Sequence, residues 1–356
     1  MKRILFLTQS GPQKAASRHR VEQYLPWLEK AGFEAVVRPA ILTEEFFVGG
    51  GKRSRRRRLR DLFQTFTRRV HDLHQIGDFD MVFVQGPILP SPLFNLESRF
   101  AREAPMIFDL DEASYLRRPA GVHPAPLWPQ ARRVAAICRR ARRVVVDNET
   151  LAGFVRTQGV EPVVLPTPVD TDAYAPARQM ARRAHKIPVL GWIGSPSTQS
   201  ELQTVVPPLI ALHSRAPFVV RLIGARHAAL PARFPIEWKE WNLKTEVEDL
   251  GHLDCGLAPL QDTPWNRGKC ALKVLQYWAA GVPVVASPVG VYREILRDGE
   301  NGLLAATPAE WTEKVLALIK NPALRQRVIA GGLASVEEKF SLRATAPQFI
   351  RLFEEE

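Results

Sequence analysis

Lys269, Lys273 and Gln276 fall at i, i+4 and i+7, the spacing that puts three side chains on one face of a helix. Two ammonium groups beside a helix N-terminus suit a diphosphate, and a glutamine one turn deeper suits a ribose hydroxyl. Gly281 and Pro283 are the stop signals of such a helix. The spacing predicts a helix from near Gly268 to Gly281, then a buried strand. The same residues also read as an ordinary amphipathic helix with solvated lysines.

Three further stretches carry chemistry-bearing residues. Gly191-Trp192-Ile193-Gly194-Ser195-Pro196-Ser197-Thr198 reads as a strand, a tight turn and hydroxyl caps at a helix start, where backbone N–H groups favour an anion. It lacks the Gly-Lys-Ser/Thr of a nucleotide-binding P-loop, and so does Gly49-Gly50-Gly51-Lys52. No GxGxxG follows the first strand, which speaks against a nicotinamide enzyme. Phe108-Asp109-Leu110-Asp111-Glu112 reads either as carboxylates capping the next helix or as Asp109 and Asp111 contacting a substrate or a metal-nucleotide. No histidines stand at metal spacing near it. Ser17-Arg18-His19-Arg20 reads as a helix start with Ser17 as N-cap; Arg18 and Arg20 either face a phosphate or sugar or are solvated.

Positioning these groups requires strands that end beside them. Short apolar runs, Ile4 to Thr8, Ala35 to Val37, Met81 to Val84, Met106 to Asp109, Val144 to Val146 and Val163 to Leu165, alternate with helical segments such as Arg18 to Ala31. A second series follows: Val189 to Ile193, Val219 to Ile223, Cys255 to Ala258, Val282 to Ala286 and Gly302 to Leu304. Continuous Val/Ile/Leu runs alternating with helices imply parallel sheets covered on both faces. The break falls at Asp172 to Lys186. The expectation is α/β, with two doubly wound domains at 1–175 and 186–340 and a helix within 341–356 that packs back on the first.

The 356 residues suit two domains, and 46% hydrophobic content supplies both cores. Cys138, Cys255 and Cys270 have no CxxC spacing and fit free thiols in a reducing compartment. Met1-Lys2-Arg3 with Ile4 to Leu7 is too short a run for a signal peptide and reads as a strand. A cytoplasmic location is expected.

The stretch from Gly268 to Ser287 resembles the donor-site region of the group 1 (family 4) glycosyltransferases of GT-B fold. Ala279-Ala280-Gly281-Val282-Pro283-Val284-Val285-Ala286 is the distinctive run. The resemblance continues in Ser287 to Gly290, Arg293-Glu294-Ile295 and Asp298 to Leu304, and in Asp254 to Leu260, Pro166 to Asp172 and Gly191 to Gly194. It reaches the N-terminal Ser17-Arg18 helix, and so covers nearly the whole chain. It implies two Rossmann-like domains facing across a cleft. The C-terminal domain would bind a nucleotide-diphosphate sugar and the N-terminal domain a glycan, glycolipid or other acceptor, with retention and without metal or cofactor. Lys269 and Lys273 would hold the diphosphate with N–H groups near Gly194, Ala271 and Leu272, and Ser195 and Ser197 would line the same turn. Gln276 would bind ribose and Glu294 the donor sugar. Arg18, Arg20, Ser17, Asp109 and Asp111 would lie on the acceptor or phosphate side; Asp111, Lys273 and Glu294 are the catalytic candidates. The family's two glutamates eight residues apart are replaced by Gly268 and Gln276, which motivates the alternative of a degenerate, non-catalytic nucleotide-sugar-binding or partner protein.

The net charge of +12 asks for an anionic partner. Seven positive charges crowd between Lys52 and Arg60, ahead of a helix with apolar residues Leu59, Leu62, Phe63, Phe66, Val70 and Leu73 on one stripe. This reads as a solvated arginine loop before a core-facing helix, or as a surface resting on anionic lipid at the inner face of a membrane. Without interleaved aromatics or a recognition motif, nucleic acid is not expected. The resemblance places the activity in surface polysaccharide or glycoconjugate biosynthesis.

Overall fold

Residues 1–41, 55–88, 95–116, 130–181, 185–225 and 233–354 are described by the computed structural model. Their contacts divide the chain into two units. The first holds Met1–Thr167, Gly268–Cys270 and Thr345–Glu356; the second holds Pro168–Arg267 and Ala271–Ala344.

The apolar runs form two six-stranded, wholly parallel sheets. In the first unit β1 (Lys2–Ser10), β2 (Phe33–Ile41), β3 (Met81–Gln85), β4 (Met106–Leu110), β5 (Arg143–Val146) and β6 (Val163–Val164) lie in the order β2-β1-β3-β4-β5-β6. In the second unit β7 (Val189–Ile193), β8 (Val219–Ile223), β9 (Ile236–Lys239), β10 (Cys255–Ala258), β11 (Val284–Ala286) and β12 (Leu303–Leu304) lie in the order β12-β11-β10-β7-β8-β9. Strands buried on both faces need no alternation, and Ile4 to Leu7 and Val144 to Val146 are fully enclosed. Strand order reverses between β1 and β3 in one sheet and between β7 and β10 in the other. Crevices at such points are where open α/β sheets bind ligands.

Aromatic packing completes the first core. The helix Leu342–Glu354 sends Phe349 and Phe353 onto Phe6 and Phe83, and Phe349 stacks on Tyr24 at 4.0 Å. The Tyr24 hydroxyl donates to Thr345 Oγ1 at 3.0 Å. Each such ring pair contributes about 0.5–1.5 kcal/mol beyond its buried area. In the second unit Tyr277 ties the switch point together. Its hydroxyl lies 3.2 Å from Gly191 O and 3.3 Å from Leu257 O, and it accepts from Ile193 N–H at 3.2 Å. A Cβ on Gly256 would fall 2.6 Å from the Tyr277 ring, so β10 needs glycine there.

The structure departs from the sequence expectations at four places. The helix expected over Arg18 to Ala31 is three short pieces, Ala15–Arg20, Glu22–Tyr24 and Leu25–Lys30: Val21 leaves helical geometry with φ −132°, and Pro26 has no N–H to bond the carbonyl of Glu22. The expected break at Asp172 to Lys186 carries a helix, Ala175–Met180, whose Arg178 donates to Ala279 O at 3.0 Å inside the second unit. Strand β9 was not anticipated.

The fourth departure concerns the helix Arg55–His74. Its buried positions are Thr65, Arg69 and Asp72, whereas Leu62, Phe66, Val70 and Leu73 are half-buried and Phe63 is exposed. Arg69 donates to Thr8 O at 2.7 Å and Arg38 O at 2.9 Å and pairs with Asp72 at 2.9 Å, and Asp72 also pairs with Arg38 at 3.0 Å. A guanidinium that meets carbonyls and a carboxylate is satisfied inside, so the apolar stripe is not the side turned to the core.

Candidate donor and acceptor sites

In the second unit the turn after β7 closes on its own tryptophan. A Cβ on Gly194 would lie 2.6 Å from the Trp192 ring and 3.0 Å from Thr198 Oγ1. Gly224, with φ +79°, ends β8, and a Cβ there would lie 2.5 Å from Gly194 O. A side chain at either position would force its neighbours aside, and the two glycines leave the backbone of this turn bare. Lys273 Nζ stands 5.3 Å from the centroid of the Trp192 ring. Gly194, Trp192 and Lys273 therefore come together beside the switch point of the second sheet.

The helix carrying Lys273 runs over Leu272–Ala280 and ends on Gly281 at φ +71°. It starts four residues later than expected. Lys269 precedes it, in the Gly268–Cys270 segment of the first unit, and does not share its face with Lys273 and Gln276. Ala271 is the N-cap and offers no capping side chain, so the N–H groups of the first turn, including Leu272, suit an anion. The hydroxyls at the Gly194 turn do not cap as expected. Ser195 Oγ and Ser197 Oγ bond each other at 2.7 Å, and the segment Pro196–Thr204 is a 3-10 helix.

Gln276 is buried and committed. Its amide nitrogen donates to Tyr174 OH at 3.0 Å and to Glu246 Oε1 at 2.9 Å. Glu246 Oε2 accepts from Trp241 Nε1. Glu294 is exposed on the short helix Val291–Ile295, which follows Gly290. Behind these groups the buried Glu201 accepts from Gln261 N–H at 2.7 Å and Asn266 Nδ2 at 2.9 Å, and so fixes the loop after β10.

In the first unit the sequence candidates separate into partners and non-partners. Arg20 is buried and holds both carboxylate oxygens of Asp109, one of them at 3.2 Å; it also donates to Leu165 O at 2.6 Å and lies 3.8 Å from Asp147. Burial works against the Arg20 charge, yet Asp109 and Asp147 hold its pKa above the ordinary value. The expected substrate contacts through Arg20 and Asp109 are corrected accordingly: the two groups are spent on each other. Ser17 is not an N-cap. It lies inside the helix Ala15–Arg20, and its hydroxyl donates to Gln85 Oε1 at 3.1 Å, between the ends of β1 and β3. Arg18 donates to Pro12 O at 3.1 Å.

Asp111 behaves differently from Asp109. It follows β4, is half-buried, and makes no hydrogen bond or ion pair among the described residues. Burial, reinforced by the neighbouring charges of Asp109 and Glu112, pushes its carboxyl up to about 7. Such a group can hold or release a proton near neutral pH. Lys52 to Ser54 lie outside the described residues, and of Arg55 to Leu59 only the helical backbone is described.

Residues 187–321 match the sequence model of the family described as glycosyl transferases group 1. That stretch of the chain is similar to this family, and the two parallel sheets have the GT-B fold. A phosphatidyl-myo-inositol mannosyltransferase of Mycobacterium tuberculosis is 26% identical over 291 residues, covering 78% of this chain and 74% of the relative. Among solved structures, Anabaena HepE in complex with UDP and glucose superposes with a TM-score of 0.69 at 14% identity over 99% of both chains. The sucrose-phosphate synthase of Thermosynechococcus elongatus superposes at 0.72, also at 14% identity, over 99% of this chain and 98% of its own.

The sequence points to Lys273, Gly194 and Gln276 but not to the residues that hold them. Trp192 carries no signal beyond its place in a strand, because aromatic residues are common there. Glu246 and Tyr174 gave no local signal, because their bond to Gln276 closes only on folding.

Proposed function

We propose that this glycosyltransferase moves a sugar, with retention and without a metal, from a nucleotide-diphosphate sugar held by the second unit to a glycan or lipid-linked acceptor held by the first. The observation that carries the donor half is Lys273 over Trp192 beside the bare Gly194 turn. Its ammonium and the first N–H groups of the helix Leu272–Ala280 neutralise the leaving diphosphate as the glycosidic bond breaks. Glu294 orients a donor hydroxyl, and Gln276 takes a ribose hydroxyl. Ser195, Ser197, Ala271 and Leu272 line the diphosphate, with Lys269 as a further cation. On the acceptor side Asp111 takes the hydroxyl proton, while Arg18 faces the phosphate or acceptor.

The UDP bound by HepE supports a nucleotide donor, and the phosphatidylinositol substrate in the mycobacterial relative's name supports a lipid-linked acceptor. That pairing supports a product in surface polysaccharide or glycoconjugate synthesis. Among the described residues no helix is long and apolar enough to cross a membrane. The charges from Lys52 to Arg60 provide peripheral attachment to the anionic inner face instead.

The test is a thermal-shift panel of UDP, GDP, ADP and dTDP and their sugars, followed by transfer assays with the best donor. A ligand that binds only the folded state raises the melting point by mass action. A folded protein that neither shifts with nor turns over any of them sinks the proposal.

A further inference from the structure

The donor reading uses Gln276 but gives no role to the polar groups bonded behind it, Tyr174, Glu246 and Trp241. A carboxylate only accepts hydrogen bonds, so the Gln276 group 2.9 Å from Glu246 Oε1 has to be its NH2. The second N–H of that nitrogen goes to Tyr174 OH at 3.0 Å. Both donors are used, and the amide can no longer turn. Its oxygen accepts from none of the described residues, in a residue that is 4% exposed.

Glu246 is itself fixed, since Oε2 accepts from Trp241 Nε1 and the residue opens the helix Glu246–Gly251. Glutamine is the residue that fits at 276, because a second carboxylate there would repel Glu246 across the same distance.

We propose that Glu246 is a positioning residue of the donor site, which locks the Gln276 amide so that its oxygen presents a lone acceptor to a hydroxyl of the donor's ribose. This inference rests on the donor reading above and adds to it the source of ribose discrimination. A site built to receive a hydroxyl rejects the ligand that lacks it, because its own buried polar group then goes unpaired.

The experiment measures affinity for UDP, GDP and ADP and for their 2′-deoxy and 3′-deoxy forms by thermal shift, in the parent, Glu246→Gln, Gln276→Ala and the exchanged pair Glu246→Gln with Gln276→Glu. The parent prefers one ribose form over its deoxy counterpart by about tenfold or more. Glu246→Gln frees the amide to turn and brings that ratio to about twofold or less, as does Gln276→Ala. The exchanged pair restores it, because the amide then at position 246 donates to a carboxylate at position 276 that still has an oxygen to offer. A role confined to stability would lower the melting point and leave the ratio unchanged. An unchanged ratio in both Glu246→Gln and Gln276→Ala overturns this inference while the donor reading stands. Should Glu246→Gln not fold, Gln276→Ala and the exchanged pair decide the same question. Failure of the parent to bind any of the nucleotides overturns both.

Discussion

The ring of Trp192 is shared by two neighbours: Lys273 Nζ lies 5.3 Å from its centroid, and its edge fills the space that a side chain on Gly194 would need. A cation held over an indole face gains about 0.5–1 kcal/mol and loses little mobility to hold its place. One buried side chain thus sets both the height of the ammonium and the closeness of the turn.

Lys273→Ala should lower kcat/KM for transfer by about 100-fold or more, with a melting point close to the parent's, because in the proposed reaction the charge acts on the leaving diphosphate. Lys273→Arg should recover part of the loss. Gly194→Ala should weaken donor affinity as well, by displacing the Trp192 ring from under Lys273. Steady-state kinetics beside melting curves separate these outcomes; equal loss of activity and folding in Lys273→Ala would contradict the assignment.

The Arg20–Asp109 pair makes a prediction about stability. Arg20→Ala strands the buried Asp109 carboxylate and should cost about 3–5 kcal/mol. Replacing both, as Arg20→Met with Asp109→Leu, should cost less than Arg20→Ala alone. Urea unfolding of the single and double variants provides the comparison.

Asp111 makes a prediction about pH. Its carboxyl is raised from 3.8 to about 7, so the folded protein holds this proton more tightly than the unfolded chain. The resulting stability is fully present below about pH 4 and is lost as pH rises to about 7. Asp111→Asn should therefore match the parent at pH 4 and exceed it by roughly 1–2 kcal/mol at pH 8, a figure reduced for the solvent that reaches the group. Melting curves across this range test it. Transfer by the parent should rise through pH 7, and Asp111→Asn should lose that limb.

Replacing Lys52, Arg53, Arg55 to Arg58 and Arg60 by glutamine should abolish flotation with vesicles of phosphatidylglycerol at physiological salt. Each charge near such a surface contributes about 1 kcal/mol. Binding that survives in the neutralised variant would count against a membrane role for this cluster.

How much of this was legible depended on where the determining partner lay. Val189 to Ile193 and Val219 to Ile223 were readable because burial on both faces demands an unbroken apolar run. Ile236-Glu237-Trp238-Lys239 was not, because β9 is an edge strand and alternates over only four residues. The helix Arg55–His74 misled because hydropathy assumes that arginine avoids the interior. Thr8 O and Arg38 O, carbonyls of two strands, reverse that preference for Arg69. In the site, Lys273 and Gln276 were visible from helical spacing within one segment. Their anchors, Trp192 and Glu246, lie 81 and 30 residues away, and no local pattern encodes such a contact.

Tyr24 waits for Thr345, a partner 321 residues further along the chain, and Phe6 and Phe83 wait for Phe349 and Phe353. At a ribosomal rate of about 5–20 residues per second, the N-terminal unit stands for roughly 15–60 s with an open aromatic socket. Its aromatic core is completed only once that distant helix has emerged.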